Sequence, residues 1–253
     1  MTGDQVRRFD PDTRTWESFT ADDIGYEPLE GPEERYEPGR FLTDVALDHA
    51  GNVWVANCIF VGIGYHGQGV RWFDGDAWHG SDDTAGQCVQ DIDVDSQGRV
   101  WMTGFDALIQ YDPAAHTWTR FPLPEWERTQ LIGEIILDND DVPWITFVRY
   151  GGAGPWHSNG VFYLMAGGEW ARVYDPFIDI YVLLAAGPDG AIWMCTEGAV
   201  SRMTKEDGLE AVGLLRTRCR QMDVDGSGRL WLVVAAGRDI PELWWYEREA
   251  TDD

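Results

Sequence analysis

The sequence predicts an all-β protein, a β-propeller of five blades, from a recurrent hairpin signature, its even spacing, and a composition suited to short strands and tight turns. The signature is an apolar stretch, a polar turn and a tryptophan-centred strand: ALDHAGNVW (46–54), DVDSQGRVW (93–101), ILDNDDVPW (136–144), AGPDGAIW (186–193) and DVDGSGRLW (223–231). Its tryptophans stand 47, 43, 49 and 38 residues apart, the period of a propeller blade. Fourteen tryptophans and 29 glycines in 253 residues suit many short strands joined by turns better than helices.

Each element follows from the periodicity of its side chains. Before each tryptophan, an alternating stretch (DVALD, DIDVD, EIILD, LLAAG, QMDVD) reads as the first strand of a blade, and the run around the tryptophan (VWVA, VWMT, PWIT, IWMC, LWLV) as the second. The polar turn between them makes the two a hairpin. A third strand follows at 70–75, 108–113, 161–166, 200–205 and 243–248, and a fourth in AWHG, TWTRF, EWARVY and LEAVGL. Four antiparallel strands make a blade, and a ring of blades protects the sheet edges. The last copy stops after its third strand, whereas residues 6–20 carry third- and fourth-strand patterns, so the N-terminal strands are expected to close the ring. That counts the third strand six times against five hairpins, leaving either a five-bladed ring with a covering strand or a sixth, incomplete blade. Residues 21–40, rich in Pro, Gly and Glu, read as a surface connection, 41–253 as the repeat blades, and 1–253 as a single domain.

Charge and motif content exclude several functions. Nineteen basic against 44 acidic residues give a formal net charge of −25, which repels phosphate backbones and anionic membranes, so neither nucleic acid nor a membrane is an expected partner. No apolar run reaches the roughly 18 to 20 residues of a membrane span, and the N-terminus lacks the apolar core of a secretory signal, so the expected location is cytoplasmic. Cys58, Cys88, Cys195 and Cys219 are scattered without a CxxC pair and read as free, mostly buried thiols. The stretch DVDGSGRLW has the look of a calcium loop, but an EF-hand beginning at Asp223 needs a bidentate glutamate at its twelfth position, and Val234 stands there. It is a corner instead: its glycine permits the turn and its tryptophan fills the space between sheets. Nucleophile elbow, GxGxxG, Walker loop and HExxH are all missing, and no organic cofactor is expected.

The pattern D-x-x-G-x-[VIL]-W followed by a Y/F-D turn resembles the blades of streptogramin lyase (virginiamycin B lyase) and of the two-component-regulator propellers over nearly the whole chain. The resemblance implies the fold. Those families typically close with seven blades, and the lyases use a histidine base with a divalent metal held by acidic side chains. Five hairpins break the correspondence of positions, so no residue is carried over from them.

In a propeller, the loops from fourth to next first strand, and from second to third, emerge on one face around the central tunnel, the usual ligand site. Ten residues before each repeat tryptophan, at the start of the first strand, stand Asp44, Asp91, Glu134, Leu183 and Gln221. Three consecutive blades thus place a carboxylate at one equivalent position, where a triangle of acids would bind Mg²⁺ or Ca²⁺, or raise one carboxyl pKa by crowding. The plainer role of a strand-start acid is to cap backbone amides. Two long loops, 57–69 and 147–160, carry Tyr65 with His66, and Tyr150 with Trp156 and His157, among glycines, as a lid or pocket wall would, with His157 placed for proton transfer. Asn57, Phe105, Asp106 and Glu197 follow second strands, and Arg218 and Arg220 precede the last first strand, where arginines facing acids would orient a polar substrate. His49, His79 and His116 fall in turns or outer strands on the other side.

These residues point to a small-molecule enzyme, a lyase, cyclase or hydrolase. Its catalytic groups would be Asp44, Asp91, Glu134 and His157, with the three acids also as metal ligands, and Tyr65, His66, Phe105, Tyr150, Trp156, Arg218 and Arg220 would surround the substrate. The alternative is a non-catalytic propeller that binds a ligand or a protein, sensor or lectin-like, with shallow aromatic pockets and no acid cluster.

Overall fold

The computed structural model describes residues 5–27, 42–61, 64–123, 131–149, 157–174, 182–196, 199–206, 208–215, 219–236 and 240–246. Strands β1 (Gln5–Asp10) and β2 (Thr15–Thr20) form a two-stranded sheet, followed by helix α1 (Ala21–Ile24). Blade 1 is β3 (Leu42–Leu47), β4 (Val53–Asn57), β7 (Val70–Phe73) and β8 (Trp78–Gly80), with a small hairpin, β5 (Ile59–Val61) and β6 (Gly64–His66), inserted after its second strand. Blade 2 is β9 (Ile92–Val94), β10 (Val100–Met102), β11 (Ala107–Asp112) and β12 (Thr117–Pro122). Blade 3 is β13 (Leu131–Leu137), β14 (Pro143–Arg149), β15 (His157–Leu164) and β16 (Trp170–Tyr174). Blade 4 is β17 (Leu183–Ala186), β18 (Ile192–Thr196), β19 (Ala199–Thr204) and β20 (Gly208–Leu214), and blade 5 has three strands, β21 (Cys219–Val224), β22 (Leu230–Ala236) and β23 (Ile240–Tyr246). The protein is a β-propeller of five blades, each an antiparallel meander as the sequence predicts.

The chain packs as two compact units, Met1–Thr129 with blades 1 and 2, and Gln130–Asp253 with blades 3 to 5. In the first, Trp54, Val70, Ile92, Val100, Met102 and Ile109 form the core between the two sheets. In the second, Trp144, Val161, Leu184, Ile192 and Met203 fill the space between blades 3 and 4, and Leu183, Trp193, Leu230, Leu232 and Val234 that between 4 and 5. Among the described residues, no helix is long and apolar enough to cross a membrane.

The recurrent corner explains itself chemically. In four blades an aspartate six residues before the tryptophan receives the indole N–H at 2.9 Å: Asp48 from Trp54, Asp95 from Trp101, Asp138 from Trp144 and Asp225 from Trp231. The other oxygen of each takes two turn amides, as Asp138 Oδ1 does from Asp140 and Val142 at 2.9 and 3.0 Å. Such charge-assisted bonds hold turn and indole together. Three residues before the tryptophan the backbone is left-handed: Gly51, Gly98, Gly190 and Gly228 have φ between +77° and +85°, and in blade 3, which lacks the glycine, Asp141 adopts φ 60°. Blade 4 has Gly187 in place of the aspartate, where a Cβ would lie 2.7 Å from Asp189 Oδ1.

Two expectations are corrected. Residues 21–27 are not a surface connection: Thr20 and Asp23 form a capping box on α1, and Ala21, Ile24 and Tyr26 are buried with Leu42 and Val55, Tyr26 Oη donating to the Val55 carbonyl at 2.9 Å. The rest of that connection, 28–40, lies outside the described residues. The cysteines are not free thiols: Cys58 pairs with Cys88 and Cys195 with Cys219, at Cα separations of 4.5 and 6.4 Å. Each cystine joins the end of one blade's second strand to the start of the next blade's first strand, a pairing that sequence spacing does not disclose. Strands β1 and β2 make a sheet of their own that packs on blade 1 through Val6 and Phe19.

Candidate functional site

The strand-start position is built differently from the corner. In blades 1, 3 and 5 the pairing of the first two strands shifts register there, between Leu42 and Val45, Ile132 and Ile135, and Cys219 and Gln221. A bulge leaves its residue outside the ladder and re-aims the side chain. The amide it frees is caught locally: Glu134 N donates to Thr146 Oγ1 at 3.1 Å, and in blade 2 Asp91 N does the same to Thr103 at 3.1 Å. The bulged carboxylate reaches sideways to the next blade, Asp44 Oδ2 accepting from Ile92 N at 2.9 Å and Glu134 Oε2 from Leu184 N at 2.8 Å. Asp44 and Glu134 therefore take the plainer role, capping an amide across a blade boundary.

Glu134 does more. With Leu183 and Gln221, the equivalent positions of blades 4 and 5, it lines a pocket of about 460 Å³ whose wall also includes Arg220, Met222, Asp223, Trp231, Val233 and Leu243. Burial pushes the Glu134 carboxyl up to about 8, opposed only in part by the bond from Leu184. At neutral pH it is mostly a neutral acid. Of the expected substrate residues, Arg220 lies in this pocket and is exposed. Sequence reasoning placed Gln221 and Leu183 at the equivalent positions but gave them no role, and it weighed Asp223 only as the start of a calcium loop, not as a pocket residue alternating along β21 with Gln221.

The other expected residues distribute as follows. Asp44 lines a separate trough beside β1. Phe105 is half-buried, its amide donating to Gln87 Oε1 at 3.2 Å, and Asp106 is taken by Arg120 at 2.6 Å on the surface. Asn57 is fully buried and receives the Gln68 amide at 2.9 Å, a structural use. His66 sits half-buried in β6, opposite Ile59. His157 pairs with Arg149 as β15 begins, so the expected long loop 147–160 is partly strand. The side chains of Tyr65 and His157, and residues Tyr150, Trp156, Glu197 and Arg218 altogether, lie outside the described residues. His79 bonds Asp74 at 2.6 Å on the outer edge of blade 1. Among the described residues, no three His, Cys, Asp or Glu side chains gather as they would around one cation, and the Asp44 and Glu134 carboxylates are already engaged with amides. The described acids do not fit a Mg²⁺ or Ca²⁺ site.

Five antiparallel blades define a β-propeller, whose repeats resemble those of the lyase and two-component-regulator propellers. No family model matches the chain, and no curated protein matches it in sequence. Solved structures do match in fold. Virginiamycin B lyase from Staphylococcus aureus has a TM-score of 0.64 at 13% identity, covering 98% of this chain and 78% of that one. The extracellular domain of a hybrid two-component system from B. thetaiotaomicron has a TM-score of 0.56 at 14% identity, covering 83% of this chain and 32% of that one. A gluconolactonase from Xanthomonas campestris has a TM-score of 0.52 at 17% identity, covering 78% and 70%. At such identities the likeness is one of fold.

Proposed function

We propose that the chain is a small-molecule enzyme, a lyase, cyclase or hydrolase, whose acid is Glu134. The observation that carries this reading is a carboxyl held near pKa 8 in a pocket beside Arg220, Gln221 and Asp223. A group protonated at pH 7 and close to its pKa both gives and regains a proton readily. The Leu184 amide occupies Oε2, which leaves Oε1 to carry the proton toward the pocket. Protonating a leaving oxygen is the step such an acid performs, and the Arg220 guanidinium would pair with an anionic group of the ligand. A lyase and a gluconolactonase among the proteins of similar fold support the class. The net charge of −25 supports a small molecule rather than nucleic acid or an anionic membrane as the partner. Cystines persist in oxidising compartments, so the two pairs favour a site of action outside a reducing cytoplasm, which thiol titration of protein taken directly from its native cells checks.

The test is ring opening of a panel of lactones and macrolactones by the wild type and by Glu134→Gln. Turnover should fall as pH rises through about 8, because the acid form is then lost, and the glutamine variant should bind ligand but lose at least a hundredfold in rate. Equal turnover in the two proteins sinks the proposal. A second reading, a module that binds without reacting, draws on β23, where Trp244 and Trp245 beside the pocket residue Leu243 are 40% and 58% exposed. It predicts saturable binding that Trp245→Ala weakens and Glu134→Gln leaves unchanged.

A further inference from the structure

The bulge in β13 sets two residues against one. Ile132 pairs with Phe147 and Ile135 with Ile145, so Gly133 and Glu134 together stand opposite Thr146 of β14. Such a bulge takes an N–H off the ladder, and a buried N–H without an acceptor is costly. Thr146, 3% exposed, supplies the acceptor: its Oγ1 receives the Glu134 amide at 3.1 Å. At its other end Glu134 is held from the next blade, where Leu184 N donates to Oε2 at 2.8 Å. Blade 1 carries the same bulge, with Thr43 and Asp44 opposite Ala56, and anchors it through a bulged residue itself, Thr43 Oγ1 donating to the Val89 carbonyl at 2.7 Å. Gly133 has no side chain to lend, so in blade 3 the hold passes across the strand to Thr146. Blade 4 needs no such hold: Leu183 pairs directly with Cys195, and the ladder runs without a shift.

The geometry points to Thr146 as a positioning residue that fixes, through the bulge, where the Glu134 carboxyl sits between Leu184 and the pocket. The inference rests on the reading of Glu134 as the acid of the site. Thr146 is not among the residues that line the pocket, so it acts through the Glu134 backbone. Two fixed points, the amide and one carboxyl oxygen, leave the side-chain torsions of Glu134 little choice and reserve Oε1 for the pocket. Exchanging the Thr146 hydroxyl for a methyl keeps the shape of the side chain and removes the acceptor. The bulge must then find another partner or open to water, and the carboxyl moves with it. Burial is the larger influence on this carboxyl and the Leu184 bond the smaller, so a carboxyl let out toward solvent ionises more easily. Arg220 and Asp223 are the charged groups that share the pocket wall with Glu134, and the exchange alters neither.

The test is infrared titration of the ligand-free chain, following the protonated-carboxyl band that Glu134→Gln removes. The wild type should titrate near 8, Thr146→Val with an ionisation constant raised roughly tenfold or more, and Thr146→Ser, which keeps the hydroxyl, within about threefold of the wild type. Lactone turnover is followed alongside, and its alkaline limb should move to lower pH in the valine variant and stay in place in the serine variant. A valine variant that titrates as the wild type does overturns the inference. So does a serine variant that titrates as the valine one does, since the hydroxyl would then not be what holds the bulge. If Thr146→Val does not fold, amide hydrogen exchange of the wild type decides: a Glu134 amide as protected as the ladder amides of β13 supports the hold by Thr146, and one that exchanges like an exposed amide overturns it. A titration that shifts as expected in a chain that opens no lactone upholds the positioning and removes only the reading of Glu134 as the acid.

Discussion

Two positions of the same repeat behave in opposite ways. The corner aspartate, six residues before the tryptophan, makes the same bonds in Asp48, Asp95, Asp138 and Asp225. Four residues earlier the occupants are Asp44, Asp91, Glu134, Leu183 and Gln221, so the residue type changes from blade to blade, although Asp44 and Glu134 share an amide cap and the Asp91 and Glu134 amides share a threonine acceptor. The corner's carboxylate neutralises local donors whose places the turn fixes, and in blade 4, where Gly187 replaces it, Asp189 accepts the Ala191 amide instead. The strand start faces a bulge, and the sheet asks little of it. Repetition marks what the fold needs, and departure from repetition marks where chemistry has room.

Four experiments sharpen or break this contrast, from the largest effect to the smallest. Trp144→Ala empties a fully buried site and should lower stability by about 3–5 kcal/mol in denaturant unfolding. Asp138→Ala, which strips the acceptor from the Trp144 indole and from two turn amides, should lower it by about 1–3 kcal/mol; a loss no larger than at an exposed carboxylate would erase the distinction.

Glu134→Gln tests the other side through pH. The folded chain keeps this proton up to about 8 and the unfolded chain releases it near 4.5, so the native state binds more protons between those values. Wild-type stability should therefore decline as pH rises from 4.5 to 8 and level off above, a slope that the glutamine variant lacks. Urea unfolding at several pH values reads it directly. Asp141→Gly, relieving a left-handed aspartate at the one corner without glycine, should raise stability slightly, by a few tenths to about 1 kcal/mol in denaturant unfolding.

The strands and their order were legible because the tryptophan recurs and strand alternation has period two; every predicted third and fourth strand falls on an observed one. What stayed hidden depends on contacts between distant segments. Cys58 and Cys88 lie 30 residues apart, and Cys195 and Cys219 lie 24 apart, so only the stacking of neighbouring blades brings them together. Ala21, Ile24 and Tyr26 were masked by the Pro, Gly and Glu that follow them. At the site, counting back from the tryptophan located Glu134 and the equivalent Gln221, but not that a bulge turns Glu134 toward Leu184, nor that Arg220 and Asp223 share its pocket.

The register shift in β13 has an evolutionary corollary. Because the ladder passes over residues 133 and 134, the side chain at 134 can be exchanged without disturbing any rung between β13 and β14. A duplicated blade bearing such a skip arrives with one address that carries no rung of the ladder, where, apart from the sideways cap on the neighbouring blade, mutation can try new reactivity while the surrounding sheet stays intact.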